Sequence, residues 1–204
     1  MIIEVDEYKS KVENYNPNNS EDFHIESAKL ADADFINCLK SKKYKRIIFM
    51  AGGTASGKTE FASQFLNKKD QLVYDGTLKS FEGFNVKLDK IKRYDKNNSK
   101  VKVVLIIPKD WVKSFDAFLT RERKMSPQIF FETHIKSKVS VAEILLKTKI
   151  KLEIYVSVPR EDKDKIDFVL MKRRFGRISA AKDLVSMSDV YKDIATKNGF
   201  DINE

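Results

Sequence analysis

Eight consecutive residues fit the G-x-x-x-x-G-K-[ST] pattern of a phosphate-binding loop: Gly52, Gly53, Thr54, Ala55, Ser56, Gly57, Lys58 and Thr59. Such a loop constrains the fold on both sides, because a strand must hold its start and a helix must aim backbone N–H groups at the phosphates. The apolar run at residues 47–51 and the helical spacing of apolar residues at 61–66 supply both elements. The sequence therefore predicts a strand, a loop and a helix between residues 46 and 67.

Each fixed position of this loop has a role in binding a nucleoside triphosphate. The glycines let backbone N–H groups turn inward around the phosphates, Lys58 can reach the terminal phosphates, and the Thr59 hydroxyl can bind Mg²⁺. The helix predicted to begin at Lys58 adds the positive end of its dipole. We therefore predict that all eight residues bind the nucleotide, and that the cofactors are ATP, with GTP as an alternative, and Mg²⁺.

A second motif raises the question of a GTPase, since residues 67–70 read N-K-x-D. The base-reading motif of a GTPase must follow a later strand, at the edge of the sheet that faces the ligand. Here the four residues end the helix that begins at Lys58, on the opposite side of the sheet. We interpret them as a helix-terminal turn.

One cysteine excludes an internal disulfide framework, and Cys38 lies in an apolar pattern that predicts a buried position. Two isolated histidines, His24 and His134, indicate no metal site beyond nucleotide-bound Mg²⁺. The sequence shows neither a signal-peptide pattern nor a long apolar span, so we predict a cytoplasmic protein without a membrane partner. The length of 204 residues suits one domain with an extension. We predict an acidic, helical N-terminal arm over residues 1–40 and a phosphate-loop domain over residues 41–204.

The net charge of +9 is unevenly distributed. Residues 1–36 have a net charge of −6, whereas residues 37–204 have a net charge of +15. A basic body favours polyanionic ligands such as nucleotides, nucleotide sugars or nucleic acid, although scattered lysines also serve solubility. Two interpretations of the acidic arm stay open. Its helix completes the core, or the arm lies against the basic body and reduces access to the site.

The remaining pattern alternates strands with helices. Further strands are predicted at residues 71–75, 101–107 and 151–158, and helices at residues 23–39, 85–94, 111–124, 127–146 and 189–197. The residues after 158 are predicted to be helical, with Ile166, Val169 and Leu170 facing the core. The fold class is therefore α/β: a P-loop NTPase-type parallel sheet with helices on both faces and an N-terminal helical extension.

Further motifs select a branch of this fold. The segment D-G-T-L at residues 75–78 follows the second strand, and a later helix ends in R-E-R at residues 121–123, just before Ser126-Pro127. Together with the phosphate loop, these motifs resemble the zeta-toxin family of small-molecule kinases over residues 46–145. The resemblance implies transfer of the ATP γ-phosphate to a hydroxyl of UDP-N-acetylglucosamine or a related nucleotide sugar. It also allows for an antitoxin protein as a partner.

The resemblance assigns roles by position. Lys58 and Thr59 would hold phosphates and Mg²⁺, and Asp75 and Thr77 would face the acceptor or the metal. Asp75 is the candidate base and also the acid that organises Mg²⁺, because it ends a strand at the ligand-facing edge. Asp110 is the second candidate base, with a helix N-cap as its alternative role.

Two arginines complete the predicted catalytic set. Arg121 and Arg123 would be lid arginines that neutralise charge on the migrating phosphoryl group. They lie on different sides of a regular helix, so both can face the site only if the helix has already ended. A second basic group follows the last predicted strand, where it binds a nucleotide or forms a solvated face: Arg173, Arg174 and Arg177.

Three functions stay open at this point. The first is a kinase of a nucleotide sugar. The second is a polynucleotide or other small-molecule kinase, favoured by the basic body. The third is a non-catalytic regulatory module that binds nucleotides. The expected partners are a nucleotide and a small-molecule acceptor, with nucleic acid ranked below them.

Overall fold

The computed structural model describes residues 1–41, 44–160, 165–171 and 176–202. The strands are β1 (Ile2–Glu4), β2 (Arg46–Ala51), β3 (Gln71–Asp75), β4 (Lys100–Pro108), β5 (Lys151–Pro159) and β6 (Ile166–Leu170). The helices are α1 (His24–Ser41), α2 (Lys58–Phe61), α3 (Phe81–Tyr94), α4 (Trp111–Leu119), α5 (Pro127–Lys147) and α6 (Arg177–Lys197). Short 3₁₀-helices cover Val5–Lys11 and Pro17–Asn19, and a π-helical turn, Ala62–Leu66, continues α2.

The described strands form one sheet in the order β1-β3-β2-β4-β5-β6. Every pairing is parallel except that of β5 with β6, which is antiparallel. Within the described residues, no helix is long and apolar enough to cross a membrane. The predicted α/β class is confirmed, with one antiparallel edge that the sequence pattern does not reveal.

The sheet is buried on both faces, as parallel sheets are. Successive residues of β2 point to opposite faces, so Ile47 and Phe49 belong to one apolar cluster and Ile48 and Met50 to another. The first cluster includes buried residues of α1, α3, α5 and α6. The second is covered by Phe61, Ala62 and Leu66 of α2 and its π-helical turn. Helices on both faces therefore hold the sheet that positions the phosphate loop.

The acidic N-terminal segment is part of this sheet. β1 pairs in parallel with β3, so that Ile3 lies opposite Tyr74 and Glu4 opposite Asp75. Ile3 and Tyr8 are buried. In α1, the ring of Phe35 is fully buried and packs edge-on against Tyr74 at 5.4 Å between ring centroids. Strand β1 and helix α1 thus complete the core.

Some predicted elements differ in the structure, and α6 spans Arg177–Lys197 rather than residues 189–197. Residues 166–170 form strand β6 rather than a helix, and Val169 and Leu170 are exposed, so their predicted inward orientation is wrong. This short apolar run is compatible with the periodicity of a helix or of a strand, and its antiparallel pairing with β5 makes it a strand. Helix α4 ends at Leu119 rather than near Lys124.

The basic group after the last predicted strand is only partly described. Arg173 and Arg174 lie outside the described residues. The guanidinium of Arg177 donates hydrogen bonds to the carbonyls of Leu145, Thr148 and Ile150 at 2.6 to 3.1 Å. Arg177 therefore closes the C-terminal end of α5, a structural role that the sequence did not indicate.

Helix α5 carries a buried cation behind the phosphate loop. Lys138 is 1% exposed, and its Nζ donates to the His134 carbonyl at 3.1 Å and lies 4.0 Å from the centre of the Tyr191 ring. Burial lowers the pKa of Lys138 to about 7. The fold therefore disfavours the protonated form of Lys138.

Replacing Lys138 by methionine should stabilise the fold, and more so in mild acid. Below pH 7 both the folded and the unfolded chain carry the Lys138 proton, so the buried charge destabilises the fold by its full amount. Between the folded pKa of about 7 and the ordinary value of 10.5, the folded chain releases this proton and the free energy of unfolding rises with pH. Chemical unfolding should show a gain that is larger near pH 6 than near pH 9.5, by up to about 3 kcal/mol. Lys136→Met, on the outer side of the same helix, is the control. A gain independent of pH would contradict this account.

Candidate active site

A cavity of about 660 Å³ opens where β1, β2 and β3 end at their carboxyl termini. The phosphate loop and the segment after β3 border it, as do residues 4–6 and 121–123. Ligands of parallel α/β sheets bind at this edge. The structure thus brings residues 54–59 of the predicted loop, Asp75, Thr77, Arg121 and Arg123 to one cavity, whereas Gly52 and Gly53 do not border it.

The loop curves because three of its residues adopt left-handed backbone conformations. Gly52 has φ +136°, Ala55 has φ 56° and Gly57 has φ +89°. Gly57 is also the cap residue before α2, so the helix begins at Lys58, as predicted. The first N–H groups of such a helix have no intrahelical acceptors, so they can bind an anion.

Helix α5 supports the loop from behind, through two residues that the sequence analysis did not connect with it. Thr133 Oγ1 accepts a hydrogen bond from the Thr54 N–H at 3.0 Å. His134 Nε2 donates to the Thr54 carbonyl, also at 3.0 Å. A Cβ atom added at Gly53 would lie 2.2 Å from the His134 ring, so glycine is required for close packing here. Burial lowers the pKa of His134 well below its usual value, and the ring is a neutral donor.

Lys58, Thr59 and Asp75 form the polar centre of the cavity. Lys58 Nζ donates to the Gly53 carbonyl at 2.7 Å. The Thr59 hydroxyl is 3.0 Å from Asp75 Oδ2. Burial lowers the pKa of Lys58 and raises that of Asp75, while their mutual attraction opposes both shifts. Their proximity means that each charge is partly compensated by the other.

Oxygen ligands at this centre suit a magnesium ion. No group of three or more His, Cys, Asp and Glu side chains among the described residues could hold a metal alone. A hydroxyl such as Thr59 and a carboxylate such as Asp75 are nevertheless hard oxygen donors, and Mg²⁺ commonly takes its remaining ligands from phosphates and water. These residues therefore fit a nucleotide-bound Mg²⁺.

Glu4 and Asp6 border the same cavity, although the sequence analysis assigned neither to the site. Glu4 Oε1 lies 3.3 Å from the Thr59 hydroxyl. Burial, followed by the charge of Asp75, raises the pKa of Glu4 to about 7. A sequence signal did exist: residues 2–6 read I-I-E-V-D, a short apolar run that ends in acids, as does the strand ending at Asp75.

Both predicted lid arginines border the cavity because α4 ends before them. Arg123 Nη1 lies 3.7 Å from Asp6 Oδ2. The Arg121 guanidinium lies over the Phe118 ring, 5.7 Å from its centre. Burial lowers the pKa of Arg121, and the Asp6 carboxylate opposes this shift. The chain thus meets the condition under which both cations can face one ligand.

Thr77 and Asp110 occupy different environments. Thr77 borders the cavity, and its carbonyl accepts a hydrogen bond from the Gly52 N–H at 3.4 Å. The Asp110 side chain accepts hydrogen bonds from the N–H groups of Val112 and Lys113, at 3.0 and 3.1 Å. Asp110 is therefore the N-cap of α4, the alternative role that the sequence allowed.

The far part of the cavity is basic. It is bordered by α1 and by the start of α3, with Lys79 and Lys87 among its residues. Lys87 Nζ is paired with Asp32 at 3.0 Å. Burial lowers the pKa of Lys79. This region offers positive charge to a second ligand beside the phosphate loop.

Comparison with known proteins supports the fold. No known family model matches the chain, and no curated protein matches it. Among solved structures, the crystal structure of the native AvrRxo1-ORF1:-ORF2 complex is similar, with a TM-score of 0.50 and 11% sequence identity. The match covers 88% of this chain and 76% of that chain. At this identity the likeness shows a shared α/β fold with a mostly parallel sheet flanked by helices.

Gly53→Ala should disturb the loop, because the added methyl group would overlap the His134 ring. Overpacking of this kind costs about 1–3 kcal/mol, so the melting temperature should fall by several degrees. Gly76→Ala is the matched control, since its Cβ atom would meet its nearest neighbour at an ordinary 3.5 Å. If both variants melt like the parent protein, the close packing of His134 against the loop is wrong.

Proposed function

We propose that this protein is an ATP-dependent kinase that transfers the γ-phosphate to a hydroxyl of a nucleotide sugar such as UDP-N-acetylglucosamine. One observation carries the proposal: Lys58, Thr59, Asp75 and two arginines border a single cavity at the ligand-binding edge of an α/β sheet. The motif resemblance to zeta toxins supports the same chemistry. A cytoplasmic location suits this substrate class.

The loop would bind the phosphates of ATP. The start of α2 favours anions, and the Lys58 ammonium adds a positive charge. Lys58 would exchange the Gly53 carbonyl for a phosphate oxygen. Thr59 and Asp75 would hold Mg²⁺, which supplies charge neutralisation for the phosphates when bound.

Transfer then requires cations around the migrating group. Phosphoryl transfer is mainly a matter of positioning and electrostatic stabilisation. Arg121 and Arg123 border the same cavity as the loop and would approach the γ-phosphate there. Because charge shifts as the bond breaks, their contribution is greatest in the transition state. The acceptor oxygen forms the new bond to phosphorus, and ADP leaves with the electrons of the bond that breaks.

The basic far part of the cavity favours an acceptor with its own phosphates. A nucleotide sugar carries a diphosphate between its two sugars, and Lys79 lies in the part of the cavity that would receive it. The basic body over residues 37–204, with a net charge of +15, favours a polynucleotide end as the second candidate. Because the site is a pocket of the size that holds small molecules, we rank the small-molecule acceptor above the polynucleotide.

An antitoxin protein remains a proposed partner. The zeta-toxin resemblance implies one, and the similar solved structure is itself that of the AvrRxo1-ORF1:-ORF2 complex. Co-purification with the product of the neighbouring gene would test this. We base no residue assignment on it.

Phosphate transfer from labelled ATP should be measured across nucleotide sugars and single-stranded oligonucleotides. The proposal expects labelled nucleotide sugar and release of ADP. Labelled oligonucleotide would instead support the polynucleotide kinase. Mg·ATP binding without transfer to any acceptor would support the non-catalytic module.

Lys58→Ala should weaken Mg·ATP binding and abolish transfer, because the terminal phosphates lose the positive charge of the lysine.

Asp75→Asn should keep the fold and most ATP binding while transfer falls by about 10² or more, since the charge beside Mg²⁺ is lost. Calorimetry and turnover assays separate the two effects. Unchanged ATP affinity for Lys58→Ala, or parental turnover with an unchanged Mg²⁺ requirement for Asp75→Asn, would remove the basis of the nucleotide site.

Lys79→Gln should raise KM for the nucleotide sugar about tenfold and leave the affinity for Mg·ATP unchanged, because one charge-assisted contact to the acceptor is lost. Lys69→Gln, in the exposed turn before β3, is the matched control and should change neither constant. A change confined to ATP affinity would show that Lys79 serves the nucleotide rather than the acceptor.

A further inference from the structure

Five carboxylates border the cavity: Glu4, Asp6, Glu60, Asp75 and Glu122. Glu60 and Glu122 are exposed, whereas Glu4 and Asp6 are half-buried and Asp75 is buried. A carboxylate that orients an acceptor must be held in place near the transferring group. The choice therefore lies among Glu4, Asp6 and Asp75.

Two of these three are engaged at the polar centre. Asp75 and Glu4 both lie within hydrogen-bond distance of the Thr59 hydroxyl, on the side where Mg²⁺ is proposed. If Asp75 organises the metal, another carboxylate can orient the acceptor hydroxyl. Asp6 makes no contact of this kind and stands apart from them, beside Arg123.

The main chain fixes Asp6 firmly. Parallel pairing of β1 with β3 brings the end of β1 to the cavity, and Asp6 lies two residues farther, in the 3₁₀-helix Val5–Lys11. Lys9 Nζ contacts Asp6 Oδ1 at 3.0 Å and also donates to Ser20 Oγ at 3.1 Å. Lys9 itself is only 2% exposed. A buried cation with two partners holds the carboxylate in one position.

The charges around Asp6 keep it ionised. Burial alone would raise its pKa, but Lys9, Arg123 and Lys58 together lower it below its usual value. Asp6 also interacts electrostatically with Arg121. Asp6 is thus an ionised carboxylate that borders the cavity, with Arg123 Nη1 3.7 Å from its Oδ2.

We propose that Asp6 is the catalytic base that orients and deprotonates the acceptor hydroxyl, so that the segment ahead of the phosphate loop supplies part of the active site. This inference rests on the proposed kinase function. As the acceptor oxygen bonds to the γ-phosphorus, its proton passes to the Asp6 carboxylate and then to water. The bond from the γ-phosphorus to the bridging oxygen breaks, and ADP leaves with its electron pair.

This proposal gives the acidic N-terminal segment a function in catalysis. The sequence alone allows this segment to be a core-completing helix or an inhibitory arm. In the structure, β1 does complete the sheet, and the 3₁₀-helix that follows it also brings the Asp6 carboxylate to the cavity.

Asp6→Asn keeps the shape of the side chain and removes its ability to accept a proton. We expect kcat for transfer to fall by about 10² or more, with unchanged affinity for Mg·ATP. Glu7→Gln, an exposed neighbour in the same 3₁₀-helix, removes the same charge and should leave transfer unchanged. If the parent protein binds Mg·ATP and transfers phosphate, and Asp6→Asn does so at the parental rate, the inference is overturned while the kinase function stands. If the parent protein does not bind Mg·ATP, the kinase function itself fails.

A double-mutant cycle with Arg123→Ala separates catalysis from positioning. If Asp6 accepts the proton, Asp6→Asn should still lower kcat in the Arg123→Ala background, although the two effects will not simply add because the side chains lie 3.7 Å apart. If Asp6 only positions Arg123, its replacement will have no further effect there, and the inference is overturned.

Asp6→Glu provides a test should the asparagine variant fail to fold. It keeps the charge near Lys9 and moves the carboxylate by one methylene group. Transfer should fall at least about tenfold, because a base must lie within hydrogen-bond reach of its proton. A parental rate in this variant would overturn the role of Asp6.

Discussion

Parallel hydrogen bonding among β1, β3 and β2 is the constraint on which the site depends. It brings the carboxyl ends of three strands to one edge, so Glu4 lies opposite Asp75 and the phosphate loop begins beside both. Parallel neighbours require long connections, which here place α1 and α2 on opposite faces of the sheet. The same arrangement buries Lys58 and Asp75 close enough to compensate each other. The pairing of the strands therefore determines which charged side chains lie close together.

The loop needs a second constraint, which comes from α5. Its backbone is held by Thr133 and His134 through Thr54, and the imidazole occupies the space that any side chain at Gly53 would need. Lys138 lies one turn farther along α5, donates to the His134 carbonyl and is buried at a cost in stability. A rigid loop behind a polar cavity is what phosphoryl transfer requires, since its catalysis depends on positioning.

Local sequence patterns predicted much of this structure. The loop, the start of α2 at Lys58 and the strand ending at Asp75 all follow from motifs a few residues long. What the patterns missed depends on distant pairing. β1 is three residues long and joins β3 across about seventy residues of chain, while His134 meets Thr54 eighty residues away. The five residues of β6 fit the periodicity of a helix as well as that of a strand, and only their pairing with β5 distinguishes the two.

A crystal structure with Mg²⁺ and a non-hydrolysable ATP analogue tests the central claim most directly. The account predicts that the loop at residues 52–59 surrounds the β- and γ-phosphates, and that Lys58 Nζ leaves the Gly53 carbonyl for a phosphate oxygen. It also predicts Mg²⁺ on Thr59, and a γ-phosphate that faces Arg121 and Asp6. An analogue bound outside this cavity, or with its γ-phosphate away from these residues, would contradict the account.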